Sequence, residues 1–468
     1  AYTTGRSPKQ QGVNMRSSFF GLNIAVRGLY TAQSALNTVN HNLNNATTPG
    51  YSRQVAKQAA STPMPIYDGT GMIGTGAEIT SVERVRDEYL DFKYWTEQIS
   101  FGEWVSKNEV LSDIEATFNE PSDSGFSSII SDFFFSLQEL SKDPGSPAVR
   151  ALVRQRGISM TKYFNATAAR FQKLQSDVNY KIKTKTEEVN SLALQITELN
   201  RQIYSAEVDG SNANDLRDRR TLLIDQMSKI INIDANEVVY GTLPTGEPDK
   251  RLSITISGKA IVDHFFKSDL KLTQRDETEN INEVDIDELY EISWADGNEL
   301  TVRGGELKGL LDVRDGNEGD TGPNGLEAPL YKGIPFYMKK MNEFVRTFAM
   351  AFNEGYIDRD EDGTIGAGED GIGHADSFDT AGNTGTRFFT FMDEDGNEVD
   401  TTTFLDGAVT TAQIVARYDD LTAANFSLSE ELKNDYTMLA TGDTSGEIGN
   451  TVNLNELLKL RHDVDMFA

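Results

Sequence analysis

One twelve-residue segment, Asp358-Arg359-Asp360-Glu361-Asp362-Gly363-Thr364-Ile365-Gly366-Ala367-Gly368-Glu369, has the residue types and spacing to do chemistry. It fits D-x-D-x-D-G-x5-E, a loop that wraps one hard cation in oxygen ligands. In that pattern Asp358, Asp360 and Asp362 supply oxygens at alternate positions and Gly363 makes the sharp turn. Thr364 offers its carbonyl and Glu369 closes the site with both carboxylate oxygens, a set that selects calcium. A helix is predicted to end just before the loop, as this geometry wants. No amphipathic helix leaves it, because Gly371-Ile372-Gly373-His374 reads as a loop. A Gly- and Asp-rich insertion meets the same pattern by composition alone, so a structural calcium loop and a plain acidic loop both stand as readings. A second acidic stretch, Asp393 to Glu398, lacks the closing Glu and reads as a hairpin turn.

Beyond a calcium ion no cofactor is expected. His41, His264, His374 and His462 are the four histidines, and none has the spacing of a zinc pair. The sequence holds no GxSxG elbow, no phosphate-cradling loop, and no GxGxxG between a strand and a helix. Cysteine is absent, which excludes disulfides, thiolate metal sites and cysteine nucleophiles. With 73 Asp and Glu against 44 Lys and Arg, carboxylate pairs arise everywhere, and most are solvated surface. The chain is not expected to be an enzyme. Its net charge of -29 also disfavours nucleic acid and anionic membranes as partners. No stretch reaches the ~18 apolar residues of a membrane span.

The most regular element lies near the N-terminus. Leu22, Ala25, Leu29, Ala32, Leu36, Val39 and Leu43 step three then four residues apart, which places one narrow apolar seam on a helix. An ordinary amphipathic helix on its own core would also show periodicity. Here the seam alternates Leu or Val with Ala, which suits close approach of another helix, and the polar face carries Asn23, Asn37, Asn40, Asn42, Asn44 and Asn45. Asparagine is a poor helix former, so a partner is expected to order this helix. The helix stops at Asn45 to Arg53: Pro49 pushes Thr48 out of the helical region, Gly50 permits a turn, and Tyr51, Ser52 and Arg53 follow.

The fold class expected is α+β and multidomain, with a long helical-bundle rod, an N-terminal coiled-coil-type helix and inserted antiparallel β domains. Residues 1–14 have no apolar core for a signal peptide and are expected to be a disordered tag or extension before Met15. Residues 15–54 form the seam helix and turn, and 55–232 a helical rod with a β-hairpin arm. Within the rod, Phe171, Val178, Leu192 and Leu199 interleave with Ile182, Val189, Ile196 and Ile203 at seven-residue intervals. An antiparallel β domain is predicted over 233–314, including strands at Val284–Ile286 and Tyr290–Trp294. Residues 315–357 are a linker and a return helix, 358–430 the acidic loop and a second β-rich outer region, and 431–468 a mixed C-terminal segment.

These residues resemble a known family. Phe19 to Ala25, and Leu36 to Gln54 with its Asn-rich helix end, look like the N-terminus of axial flagellar proteins. The Tyr51-Ser52-Arg53-Gln54 form resembles the flagellar hook-associated protein 1 family. So do Phe118 to Asp123 (FNEPSD) followed by Asp132-Phe133-Phe134, Asn214 to Arg220 (NDLRDRR), and Gly305 to Asp315 (GELKGLLDVRD). The likeness is weak between Asp358 and Gly385. It implies an extracellular structural subunit of the bacterial flagellum, exported unfolded by type III secretion with the help of an export chaperone. It further implies a homo-oligomeric junction ring, with hook protein on one side and the second junction protein or filament on the other. The resemblance also implies a C-terminal heptad helix as partner of the seam. No such helix follows Leu457-Leu458-Lys459-Leu460-Arg461-His462-Asp463 in this sequence, so the seam is expected to be frayed, or covered by something such as a neighbouring copy. Alternatives are another axial protein of hook, rod or filament, a calcium-dependent surface binding module or adhesin, and an extracellular enzyme on an axial scaffold.

Overall fold

The computed structural model describes residues 18–65, 71–118, 125–246, 248–359, 365–366 and 368–463. In chain order the elements are α1 (Ser18–Asn44), β1 (Gln54–Ala60), β2 (Met64–Pro65), β3 (Met72–Ile73), β4 (Ala77–Arg84), α2 (Glu88–Phe118), α3 (Phe126–Lys142), α4 (Pro147–Val208) and α5 (Asn214–Ile230). There follow β5 (Asp234–Thr242), β6 (Pro248–Ile256), β7 (Lys259–Asp263), β8 (Phe266–Lys267), β9 (Leu270–Gln274), β10 (Tyr290–Trp294), α6 (Glu306–Asp315) and α7 (Ile334–Glu354). The chain continues through β11 (Phe389–Phe391), α8 (Thr401–Leu405), α9 (Thr411–Tyr418), β12 (Phe426–Leu428), α10 (Glu430–Asn434) and α11 (Val452–Lys459). The α+β class and the long helices are as the periodicity implies. Among the described residues no helix is long and apolar enough to cross a membrane.

Two compact units share the chain discontinuously. One takes the residues up to Phe101 with Glu188–Leu270 and Trp294–Gly305; the other takes Gly102–Glu187, Lys271–Ser293 and the chain from Glu306 onward. The single β domain expected at 233–314 is therefore divided. The first unit holds a four-stranded antiparallel sheet in the order β5-β6-β7-β8, while β9 and β10 form a separate pair. The strand expected at Val284–Ile286 is absent because side chains, one near and one distant in sequence, capture its backbone donors. Asp285 Oδ2 accepts the Asn282 amide at 2.9 Å, and Gln175 Oε1 accepts the Ile286 amide at 3.1 Å. Side chains take the backbone donors that a neighbouring strand would have needed.

In the first unit β1 pairs with β4 in antiparallel register from Gln54↔Arg84 to Ala60↔Ala77, with an irregularity at Lys57/Gln58. β4 runs to Arg84, and α2 starts at Glu88. All eight heptad positions read in α4, from Phe171 to Ile203, are buried. Its amide side chains hold β segments: within the first unit, Asn190 Nδ2 donates to Leu270 O and Asn190 Oδ1 accepts the Leu270 amide, each at 2.8 Å.

The second unit is centred on phenylalanines. Phe133, Phe348, Phe352, Phe388 and Phe389 pack ring on ring, the closest pair 4.6 Å between centroids. Gly157 on α4 admits this cluster, since a Cβ there would stand 2.8 Å from Leu428 Cδ1 and 3.0 Å from Phe388 Cε1. The expected β-rich region at 358–430 reduces, among its described residues, to β11 paired with β12 and two short helices. Its backbone is satisfied instead from the end of α7, where Asn353 Oδ1 accepts the amides of Phe388 at 2.8 Å and Phe389 at 3.0 Å. The turn predicted at Asp395-Gly396 is present, with Met392 bridging Glu398.

Candidate functional site

All seven seam residues of α1, Leu22, Ala25, Leu29, Ala32, Leu36, Val39 and Leu43, are exposed, Leu29 by 67% and Leu43 by 73%. The opposite face does the folding. Thr31 is buried, Ile24, Ala35, Thr38 and Asn42 are partly covered, and α1 lies against β1 and β4. The Thr31 hydroxyl lies 2.9 Å from the Ala77 carbonyl, tying the helix to β4. In the single chain the helix is continuous from Ser18 to Asn44, with the seam facing solvent and polar anchors on the other face.

The turn behind α1 is built residue by residue. Asn45 donates both its backbone amide, at 3.1 Å, and its side-chain amide, at 3.0 Å, to His41 O, closing the last helical turn. Thr48 N donates to Asn45 O and Tyr51 N to Thr48 O, which carries the chain through Pro49 and Gly50. Gly50 sits at φ 77°, where a side chain is strained, and a Cβ would stand 3.1 Å from Leu222 Cβ. Tyr51 then turns back: its hydroxyl donates to Asn42 Oδ1 at 2.7 Å and lies 2.9 Å from His41 Nδ1. Asn42 also pairs with the Gln54 backbone, accepting from N and donating to O at 2.8 Å each, as a strand neighbour would.

The second half of the anchor comes from α5. Asp218 Oδ2 accepts the Ser52 amide at 2.8 Å, and Asp218 Oδ1 meets Arg84 Nη1 at 3.1 Å. Asp215 Oδ1 accepts from Gln54 Nε2 at 2.6 Å, while Arg86 Nη1 donates to Ser52 Oγ at 3.1 Å. Ser52 and Gln54 are buried and Arg53 is exposed, so the motif alternates between anchor and outward-facing cation. Burial first, then the charges of Asp215 and Asp218, raises the Tyr51 hydroxyl pKa, keeping it a protonated donor. A cavity of 420 Å³ opens beside the turn, lined by His41, Pro49, Tyr51, Asp215, Asp218 and Leu222 among others.

Sequence reasoning singled out the seam, the turn and NDLRDRR separately, and the structure joins the last two. It missed Asn42, Asp215 and Asp218 as the residues that fasten the turn. The available signal was Asn42 one helical turn above Asn45, and two carboxylates three residues apart on one face of α5.

In the acidic loop, Asp360, Asp362 and Thr364 lie outside the described residues, as do Glu361, Gly363 and Ala367. Glu369 is 9% exposed; its Oε1 accepts the Arg359 amide at 2.7 Å and its Oε2 the Gly366 amide at 2.6 Å. The carboxylate expected to close a cation site thus also closes the loop on its own backbone. Among the described residues no group of three or more His, Asp or Glu gathers as a metal site. Asn119 to Ser124, which include most of the FNEPSD stretch, and residues 1–17 also lie outside the described set.

Comparison with known proteins places these features. Residues 111–366 match the family model described as the flagellar hook-associated protein FlgK helical domain. The flagellar hook-associated protein 1 of Bacillus subtilis (strain 168) is 31% identical over 381 residues, covering 79% of this chain and 71% of that protein. That of Salmonella typhimurium is 31% identical over 225 residues, covering 47% of this chain and 40% of the relative. A solved structure of the flagellar hook junction protein FlgK from Burkholderia pseudomallei aligns over 65% of this chain and 47% of that chain, with a TM-score of 0.45 and 17% identity. The family match and the Bacillus relative define the class, a structural protein of the bacterial flagellum that assembles with other flagellar components. Within that class, the chain belongs to the flagellar hook-associated protein 1 family.

Proposed function

We propose that this chain is a subunit of the ring that joins flagellar hook to filament, and that the α1 seam is the surface through which it assembles. One observation carries the reading: seven apolar positions stand exposed at heptad spacing on a helix that is already ordered from its other face. Each leucine that a partner helix covers contributes about 1.5–3 kcal/mol, so the seam is an energetic reserve released on assembly. The ring is a homo-oligomer with hook protein on one side and the second junction protein or filament on the other, reached by export with a chaperone. Its work is mechanical and involves no catalysis.

Deleting the gene tests the role. Cells that make hooks without filaments and shed filament protein into the medium support it; normal filaments contradict it. For the acidic loop we propose a fastening role, with calcium as the ion that the pattern of Asp358, Asp360, Asp362, Thr364 and Glu369 would select. Calorimetric titration with calcium decides this, since absence of binding heat removes the ion from the account and leaves Glu369 as the fastener.

A further inference from the structure

With no cysteine in the sequence, the sulfur of this chain lies in its 11 methionines. A thioether reacts with oxidants where solvent reaches it. Most of the described methionines are shielded: Met160 and Met227 are fully buried, Met338, Met341 and Met350 are at most 9% exposed, and Met392 and Met438 are half-buried. Two stand apart. Met64 is 54% exposed and Met72 69% exposed, and both lie in the short β2–β3 ladder that the chain forms between β1 and β4. Register shows what they do there: Met64 stands opposite Ile73 and Pro65 opposite Met72. Opposite residues share a face and successive ones alternate, so one face carries Met64 with Ile73 and the other carries Met72 with Pro65.

We propose that Met64 and Met72 form an oxidant-responsive site, and that their oxidation by a peroxide opens the β2–β3 ladder while β1–β4 stays closed. In the step, a lone pair of the thioether sulfur attacks one oxygen of hydrogen peroxide. The S–O bond forms as the O–O bond breaks, and the departing hydroxide takes the proton from the transferred oxygen and leaves as water. Sulfur loses two electrons and the peroxide gains them. Each sulfoxide then sets a polar, chiral group on a face that was apolar. The ladder is two residues long on each strand, a length that is marginal in water and leans on its cross-strand side-chain pairs. Its base is built differently. The Ser61 amide donates to Gly76 O at 3.0 Å, the Thr75 hydroxyl donates to Thr62 O at 2.8 Å, and Thr31 ties α1 to Ala77 O. Neither β1 nor β4 contains a methionine, so the base has no sulfur to oxidise.

The site is a property of the free chain, so its failure would leave the proposed role of the α1 seam untouched. The test treats the full chain with hydrogen peroxide at neutral pH and weighs its peptides after digestion. Met64 and Met72 should each gain one oxygen at least about tenfold faster than Met160, Met227, Met338, Met341 and Met350. Hydrogen exchange on the oxidised chain should then quicken about fivefold in the peptides that carry β2 and β3, with no change across Gln54 to Ala60. The double variant Met64→Leu with Met72→Leu keeps both faces apolar and offers no sulfur, so peroxide should leave its arm exchange unchanged. Oxidation spread evenly over all the methionines overturns the proposal. So does arm exchange that ignores peroxide in the parent chain, or that quickens equally in the double variant.

Discussion

Two apolar surfaces of this chain meet opposite ends. The α1 seam sets four leucines, a valine and two alanines at strict heptad spacing and leaves every one exposed. The cluster around Phe133 in the second unit follows no repeat, draws on α3, α7 and the Phe388-Phe389 pair, and each of its five rings is at most 1% exposed. Regular spacing here falls on an exposed face, whereas irregular density marks the chain's own core. The anchoring differs in kind as well. The core is held by rings that exclude water, and α1 and its turn by hydrogen bonds of Thr31, Asn42 and Asp218 with backbone groups and of Tyr51 with the Asn42 side chain.

That contrast breaks first, if it is wrong, at Phe133. Phe133→Ala opens a cavity among the four other rings of the cluster and should cost about 3–5 kcal/mol in urea unfolding; a loss below about 1 kcal/mol would mean the cluster is not the core. Next comes His374, fully buried, where desolvation holds the imidazole pKa down to about 4. Its Nε2 accepts the Ala440 amide and its Nδ1 donates to Thr386 O. Between pH ~6.5 and pH ~4 the unfolded chain binds a proton that the folded chain refuses. Stability therefore falls as pH drops through that window, by up to about 3 kcal/mol, and His374→Gln should flatten the dependence. A slope unchanged by that substitution would place the titration elsewhere.

Smaller still is the polar anchor. Asp218→Ala strands the buried Ser52 amide and removes the partner of Arg84, a loss of about 2 kcal/mol. Hydrogen exchange should accelerate through Thr48 to Gln54 and at the end of α1, while the phenylalanine cluster stays protected. Equal acceleration in both regions would show that the anchor is not local. The smallest effect belongs to the seam itself. Leu29→Glu should change the unfolding free energy of the isolated chain by no more than about 0.5 kcal/mol, since the side chain is already in water.

What was legible in the sequence follows the same division. Periodicity revealed α1 and the α4 positions from Phe171 to Ile203, because a helix writes its faces at fixed intervals. It could not say that one set is exposed and the other buried, which depends on what packs there. The turn was legible through Pro49 and Gly50, whose backbone limits are local. Its fastening was not, because the Ser52 amide meets Asp218 across 166 residues and no short-range rule links them. The strand expected at Val284–Ile286 failed for a similar reason, since Gln175 on a distant helix took its backbone donor.

The most direct test places charge on the seam and leaves the anchor intact. A strain lacking the gene is complemented with a copy carrying Leu29→Glu and Leu36→Glu, and its cells are imaged for hooks and filaments while the medium is assayed for filament protein. The account predicts hooks without filaments, filament protein in the medium, and a variant chain that unfolds like the parent. Filaments of normal number and length would contradict it.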